Sequence, residues 1–199
     1  MSKVQVDTID TRSGTSTMQI GSTNTSTINI GVSGDTVNIP SGVTIANAGT
    51  ATGFGQDNSP AFHAYANSSY IAIANDTYTT LACPNEAFDV GSAYNTSNYR
   101  FIPQTAGKYF VYANVVWDGN INSKCDILLQ KNQSFSNPNF FRNSNYATNT
   151  SGVHVSGIID MNGSSDYIEA RVYHQYGSSV NLRNQGNENF FGGFLVTTT

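Results

Sequence analysis

Apolar positions along the chain follow two patterns. Beyond about residue 60 they alternate with polar residues in short runs, broken by Asn, Gly, Ser and Pro. A period of two in β-branched and aromatic residues predicts strands, and no stretch shows the 3.6 period of a helix. Over 108–117 the alternation places Tyr109, Val111, Ala113, Val115 and Trp117 on one face. Over 167–174 it does the same for Ile168, Ala170 and Val172. Further strands are predicted at 70–74, 125–130, 153–159 and 190–196. Roughly eight to ten such strands build an all-β sandwich or jelly roll.

Nearer the N-terminus the apolar residues come as isolated pairs: Met18/Ile20, Ile28/Ile30, Val37/Ile39 and Val43/Ile45, flanked by Gly, Asn, Ser or Thr. Repeated β-branched pairs suit short strands that turn and return, yet one copy cannot bury both faces of such a strand. The predicted partners are other chains, giving an intertwined β-rich stem. A disordered linker shares this Ser/Thr content, but linkers rarely keep Ile and Val in register.

Composition sharpens the boundary. All 23 aromatic residues lie at or beyond Phe54, while 29 of the first 53 residues are Ser, Thr, Asn or Gly. Aromatics supply the largest buried areas, so residues 1–53 read as a stem and 54–199 as a head that closes its own core. The head, about 146 residues, buries roughly 68–70% of its unfolded surface and needs no staple.

Charged residues make up 11% of the chain and net only -4. Without a basic field, neither nucleic acid nor a membrane surface is an expected partner. The longest apolar runs, such as 109–117, are far shorter than the ~20 residues that span a bilayer, and the polar start lacks a secretory apolar segment. Folding in cytosol is therefore expected, which argues against a disulfide between Cys83 and Cys125. No Cys/His spacing makes a metal site, and no cofactor motif is present. Seven Asn-x-Ser/Thr sequons, from Asn24 to Asn162, follow from composition and imply no glycosylation without secretion.

Phe88, Asp89, Val90, Gly91, Tyr94, Phe101, Pro103, Ala106, Gly107, Lys108 and Tyr109 have the spacing of the complement component 1q globular head. That head belongs to the tumour-necrosis-factor jelly-roll superfamily. Pro60 to Ala64 resembles its first strand, Asp166 to Val172 its late Asp-x-Val strand, and Phe191 to Leu195 its closing strand. The resemblance covers residues 60–196. It departs from the family at Cys83, where a Phe is usual, and at Val111 and Ala113, where aromatics are usual. The matched aromatics read as core positions, with Gly107 permitting the turn into a central strand.

The resemblance implies a homotrimer that packs hydrophobic and aromatic sides along a threefold axis. Three copies would also give the stem pairs a shared interior. The run Lys3 to Ile9, followed by Ser13 and Gly14, resembles the start of marine bacteriophage fibre proteins. Ile28 to Gly31 and Gly34 to Pro40 resemble their β-rich shafts. This second resemblance implies a virion protein that docks to other virion proteins through Val4, Val6 and Ile9. Its head would then face a glycan or protein on the host surface. Capsid decoration without receptor binding is the competing reading, and fold alone does not choose between them.

The chain is not expected to be an enzyme. His63, His154 and His174 fall on separate predicted strands, no Gly-x-Ser-x-Gly elbow occurs, and no carboxylate pair stands out. The segment from Asp160 to Asp166 places Gly163 fourth, where a helix-flanked calcium loop needs glycine sixth, so a hairpin turn is predicted there. Some members of the complement-head family do hold calcium in head loops. Loops carry binding where strands carry packing, which selects the polar-aromatic run 137–146, with Asn139, Phe140, Phe141, Arg142 and Tyr146. Adjacent Phe140 and Phe141 suit a trimer axis equally well. Tyr173, Tyr176 and Arg183 form a second candidate group.

Overall fold

The alternation over 108–117 becomes a strand buried on one face, with Tyr109, Val111, Ala113, Val115 and Trp117 all fully inaccessible. A computed structural model of the chain describes residues 20, 23–24, 26–31, 33–44, 46, 58–67, 70–136, 139–147, 150–183 and 188–199. The chain divides into two compact units, Met1–Thr52 and Gly53–Thr199.

In the first unit the described residues form turns and no strand. One is a turn closed by the Val43 N–H bonding to the Pro40 carbonyl at 3.2 Å, with Gly42 at φ +88° in the position that needs left-handed backbone. Ile20, Ile28, Ile30, Val37, Ile39 and Val43 are 44–69% exposed, so these apolar side chains find no cover among the described residues. Val4, Val6 and Ile9 lie outside the described residues.

The described residues of the second unit hold thirteen strands and no helix. They are β1 (Ala61–Ala66), β2 (Ile71–Ile73), β3 (Thr79–Thr80), β4 (Asn85–Val90), β5 (Tyr94–Asn95), β6 (Arg100–Phe101), β7 (Ala106–Trp117), β8 (Ser123–Lys131), β9 (Phe140–Ala147), β10 (Ser151–Asn162), β11 (Ile168–His174), β12 (Val180–Leu182) and β13 (Asn189–Thr198). The count exceeds the eight to ten strands expected because β3, β5 and β6 are two-residue ladders. Of the long strands, β7, β8, β10, β11 and β13 fall where the alternation placed them, whereas β9 occupies a stretch expected to be a loop.

All pairings are antiparallel. In the first sheet β10 pairs along the whole of β7, whose other side carries β13 and then β12; β1 follows β13, and β4 follows β1. The second sheet runs β5, β6, β11, β8, β9, with β3 also on β11. The sheets face each other over a core in which the Phe62 ring meets Phe101 at 4.5 Å, Tyr94 at 4.8 Å and Phe191 at 4.9 Å. Cys83 and Cys125 are buried there as thiols. Burial pushes the Cys83 thiol up to about 12, because a thiolate has no solvation in that site.

Three local expectations are corrected. Gly107 lies inside β7 rather than in a turn, and its lack of a side chain serves close approach: a Cβ there would stand 2.4 Å from the Thr197 carbonyl oxygen. The 160–166 segment is not a hairpin, because β10 belongs to one sheet and β11 to the other. Asn162 Oδ1 instead accepts the N–H groups of Ser164, Ser165 and Asp166 at 3.0–3.1 Å, turning the chain between sheets. Phe88, read as core, is 47% exposed on the outer side of β4.

Candidate functional site

The outer face of the first sheet is apolar where an isolated sandwich would be polar. Strand register lays its side chains out in rows. One row crosses Ile158, Phe110, Phe194, Ala61 and Val90; the next crosses Ser156, Tyr112, Gly192, His63 and Phe88. Phe110 and Phe194 meet at 5.5 Å between centroids, and Phe110 and Tyr112 at 6.0 Å. His63 sits among Phe190 at 5.4 Å, Tyr112 at 5.9 Å and Phe88 at 6.3 Å. Across the bare backbone of Gly192, His63 Nδ1 and the Tyr112 hydroxyl share a 3.0 Å hydrogen bond. Burial lowers the His63 pKa and raises that of Tyr112, so the pair is neutral near pH 7. Contiguous apolar rows of this kind mark surfaces that another molecule covers.

The outer face of the second sheet is different, because most of its aromatics and charges are already paired. Asp126 is fully buried, with Lys124 Nζ at 3.2 Å and Arg142 Nη1 at 3.8 Å. Arg171 donates to Gln130 Oε1 at 3.2 Å and to the Tyr78 carbonyl at 2.7 Å. Tyr78 stacks on Tyr173 at 4.6 Å, and Phe135 bridges Tyr78 and Phe140. Cations lie over three of these rings: Lys124 on Tyr173, Arg142 on Phe140 and Arg171 on Tyr78. The Tyr173 hydroxyl donates to Asp76.

These faces relocate the residues selected from sequence. Residues 140–147 are an edge strand, not a loop, and only Asn139 stays in the preceding turn. Phe140, Arg142 and Tyr146 share the outer face of β9, opposite Gln130, Leu128 and Lys124. Phe141 points the other way and packs on the core, where a Cβ at Gly157 would stand 2.7 Å from its ring. Phe141 thus closes the open edge between β9 and β10. Neither Phe140 nor Phe141 belongs to the aromatic rows of the first sheet. Tyr146 is 70% exposed. Tyr173 is buried on the second sheet, Tyr176 is half exposed in the loop after β11, and Arg183 follows β12 in an ion pair with Glu188 at 3.5 Å. The second candidate group is therefore dispersed.

Sequence reasoning missed the rows formed by Phe88, Phe110, Tyr112, Phe190 and Phe194. Their signal was available: Tyr109, Phe110, Val111 and Tyr112 are apolar on both faces of one strand, as only a doubly covered strand requires.

Strands β4, β1, β13, β7 and β10 thus lie across the sandwich from β6, β11, β8 and β9. The fold is that of the complement 1q and tumour-necrosis-factor jelly rolls. The globular domain of zebrafish complement 1qA protein superposes with a TM-score of 0.52 at 15% identity, covering 71% of this chain and 100% of that one. Murine APRIL gives 0.53 at 12%, covering 68% and 98%. The Eiger TNF of S. frugiperda gives 0.50 at 14%, covering 70% and 93%. No family model matches the sequence, and no curated protein matches it. Among the described residues no cluster of three or more His, Cys, Asp or Glu could hold a metal ion.

Proposed function

We propose that the chain is a homotrimeric virion fibre of bacteriophage type, whose complement-like head attaches to a host surface. One observation carries the assembly: the aromatic rows of the first sheet centred on Phe110, Tyr112 and His63, left uncovered in one chain. Fully burying an exposed large apolar side chain contributes about 1.5–3 kcal/mol, and covering the remaining surface of several partly buried ones, with the more exposed Phe88, Val90 and Ile158, adds up to a stable interface. A closed threefold ring leaves no such face open. The exposed Ile and Val pairs of the first unit would be covered by the same assembly, in an intertwined stem. Docking to the particle is assigned to the N-terminal segment with Val4, Val6 and Ile9, on its resemblance to fibre proteins.

The head does not read as an enzyme: His63, His154 and His174 sit on β1, β10 and β11. Its work is contact, and three copies multiply weak contacts through effective concentration.

Light scattering of the full chain tests the assembly. A mass near three times 21.4 kDa is expected, falling toward 21.4 kDa in Phe110→Asp. A monomeric wild-type chain defeats the reading. Competition between soluble chain and virions for host cells tests attachment, whereas binding to particles alone would give the role to capsid decoration.

A further inference from the structure

At the end of the sandwich where β7 finishes, a hollow of about 290 Å³ opens between two loops. The 118–122 segment forms one wall and the 176–181 segment the other, and the Asp118 N–H bonds to the Asn181 carbonyl at 3.0 Å between them. Ile121 and Val180, both buried, make the floor.

Around the rim stand the Asp118 carboxylate, the Asn120 and Asn181 amides and the half-exposed Tyr176 ring with its hydroxyl. None of these four side chains hydrogen-bonds within the described head. The backbone beneath them, however, is fixed. The Tyr176 N–H donates to His174 Nδ1 at 3.3 Å, the Gly177 N–H to Asn75 Oδ1 at 2.6 Å, and Ser179 Oγ to the Ile73 carbonyl at 3.1 Å. The loops of the rim are thus held, and its four exposed polar side chains are uncommitted and can turn toward a ligand.

The chemistry of the rim narrows that ligand. Among the described residues Asp118 is the only charged group lining the hollow, so a phosphate or carboxylate would meet repulsion. An apolar ligand would leave the amides and the carboxylate desolvated without partners. A quaternary ammonium would use the ring and the carboxylate but neither amide. A pyranose uses everything: its hydroxyls match one acceptor and two amides that both give and take, and its apolar face covers a tyrosine ring. The volume, about 290 Å³, lies just below the ~300–1,000 Å³ of typical ligand sites, room for a single ring. The larger hollow near Tyr94, about 500 Å³, is a poor match. Its Asn95 and Gln104 side chains already bond to the backbone, and Tyr94 is buried.

Position agrees with chemistry. Asn58, where the described head begins, bonds to Leu195, which lies opposite Tyr109 on β7. The hollow begins at Asp118, nine residues or roughly 30 Å farther along at ~3.3 Å per residue. It therefore occupies the end away from the point where the chain comes in.

We propose that the hollow bounded by Asp118, Asn120, Tyr176 and Asn181 binds one neutral saccharide unit of a surface glycan. This deepens the attachment reading and depends on it for biological use, but not for its chemistry.

Saturation-transfer NMR on the full chain tests the proposal, with methyl glycosides of glucose, galactose, mannose and N-acetylglucosamine as probes and tetramethylammonium and inorganic phosphate beside them. At least one glycoside should receive transfer through its ring protons. That binding should weaken roughly tenfold or more in Tyr176→Ala and in Asp118→Asn, and persist in Gln104→Ala, in the other hollow. Three outcomes overturn the proposal: no glycoside binds; binding survives both rim substitutions; or only tetramethylammonium or phosphate binds. Light scattering on the same samples separates the two readings. A trimer that binds no glycoside sinks the sugar site alone, and a monomer that binds one through Tyr176 sinks the assembly alone.

Discussion

The Tyr112 ring on β7 occupies the space that a side chain at Gly192 on β13 would need: a Cβ there would stand 2.4 Å from both Cζ and Oη of the tyrosine. Because the crowded atoms are the far end of a surface side chain, the tyrosine can swing away at small cost within one chain. Gly192→Ala should therefore leave the melting temperature of the isolated fold nearly unchanged while displacing Tyr112 from His63. For the proposed trimer, the expected result is a loss of trimer mass by light scattering. Unchanged mass would show that this row lies outside the interface.

Gly107→Ala should behave in the opposite way. Its neighbours are the Thr197 carbonyl at 2.4 Å and Leu195 Cδ1 at 2.8 Å, a backbone and a buried side chain that cannot turn aside. Overpacking of this kind costs about 1–3 kcal/mol. Thermal melting should fall by roughly 2–4 °C per kcal/mol for a domain near this size.

His63 predicts acid sensitivity. Burial holds its folded pKa below the usual value, so near and below pH ~6.5 the unfolded chain binds the proton more readily than the folded one. Stability is then present above that pH and declines as pH falls. An assembled interface would desolvate the imidazole further and steepen the decline. Trimer mass followed from neutral to mildly acidic pH should drop in the wild type and stay flat in His63→Gln.

Asp166 titrates in a lower window. Burial pushes its carboxyl up, but hydrogen bonds from Lys131, Asn132 and the Asn162 N–H, with the Lys131 charge, hold it below the usual carboxylate range. Its contribution is full above pH ~4 and is lost as pH falls through the depressed folded value. Asp166→Ala should cost about 1–3 kcal/mol at neutral pH, read by denaturant unfolding, because Lys131 loses its 2.8 Å partner. That penalty should shrink in acid.

Alkylation reports on the core. With its thiol pushed up to about 12 and no solvent access, Cys83 should resist iodoacetamide in the native protein and react only after denaturation. Intact mass spectrometry gives the answer directly.

Most of the fold was legible because alternation and burial say the same thing. Tyr109 through Trp117 and Ile168 through Val172 needed only a period of two, and Phe101 and Tyr109 fill the interior as their type predicts. What the pattern hid were the cases where one residue serves two faces or none. Phe110 and Tyr112 share a strand with Tyr109, so their outward direction is a property of register. Phe140 and Phe141 look equivalent in sequence, yet one flanks Arg142 on the outer face and the other closes an edge against Gly157. The rim of the Asp118 hollow joins residues some sixty apart in the chain, brought together where Leu182 pairs with Trp117 and the Asp118 N–H bonds to the Asn181 carbonyl.

The fastening of Asn58 to Leu195 has a mechanical consequence. Asn58 Nδ2 donates to the Leu195 carbonyl at 2.7 Å, and the Leu195 N–H returns a bond to the Asn58 carbonyl at 3.1 Å. A pull applied before residue 58 and resisted at the far loops runs lengthwise along β1, β13 and β7. Their ladder bonds then carry the load together in shear instead of opening one after another.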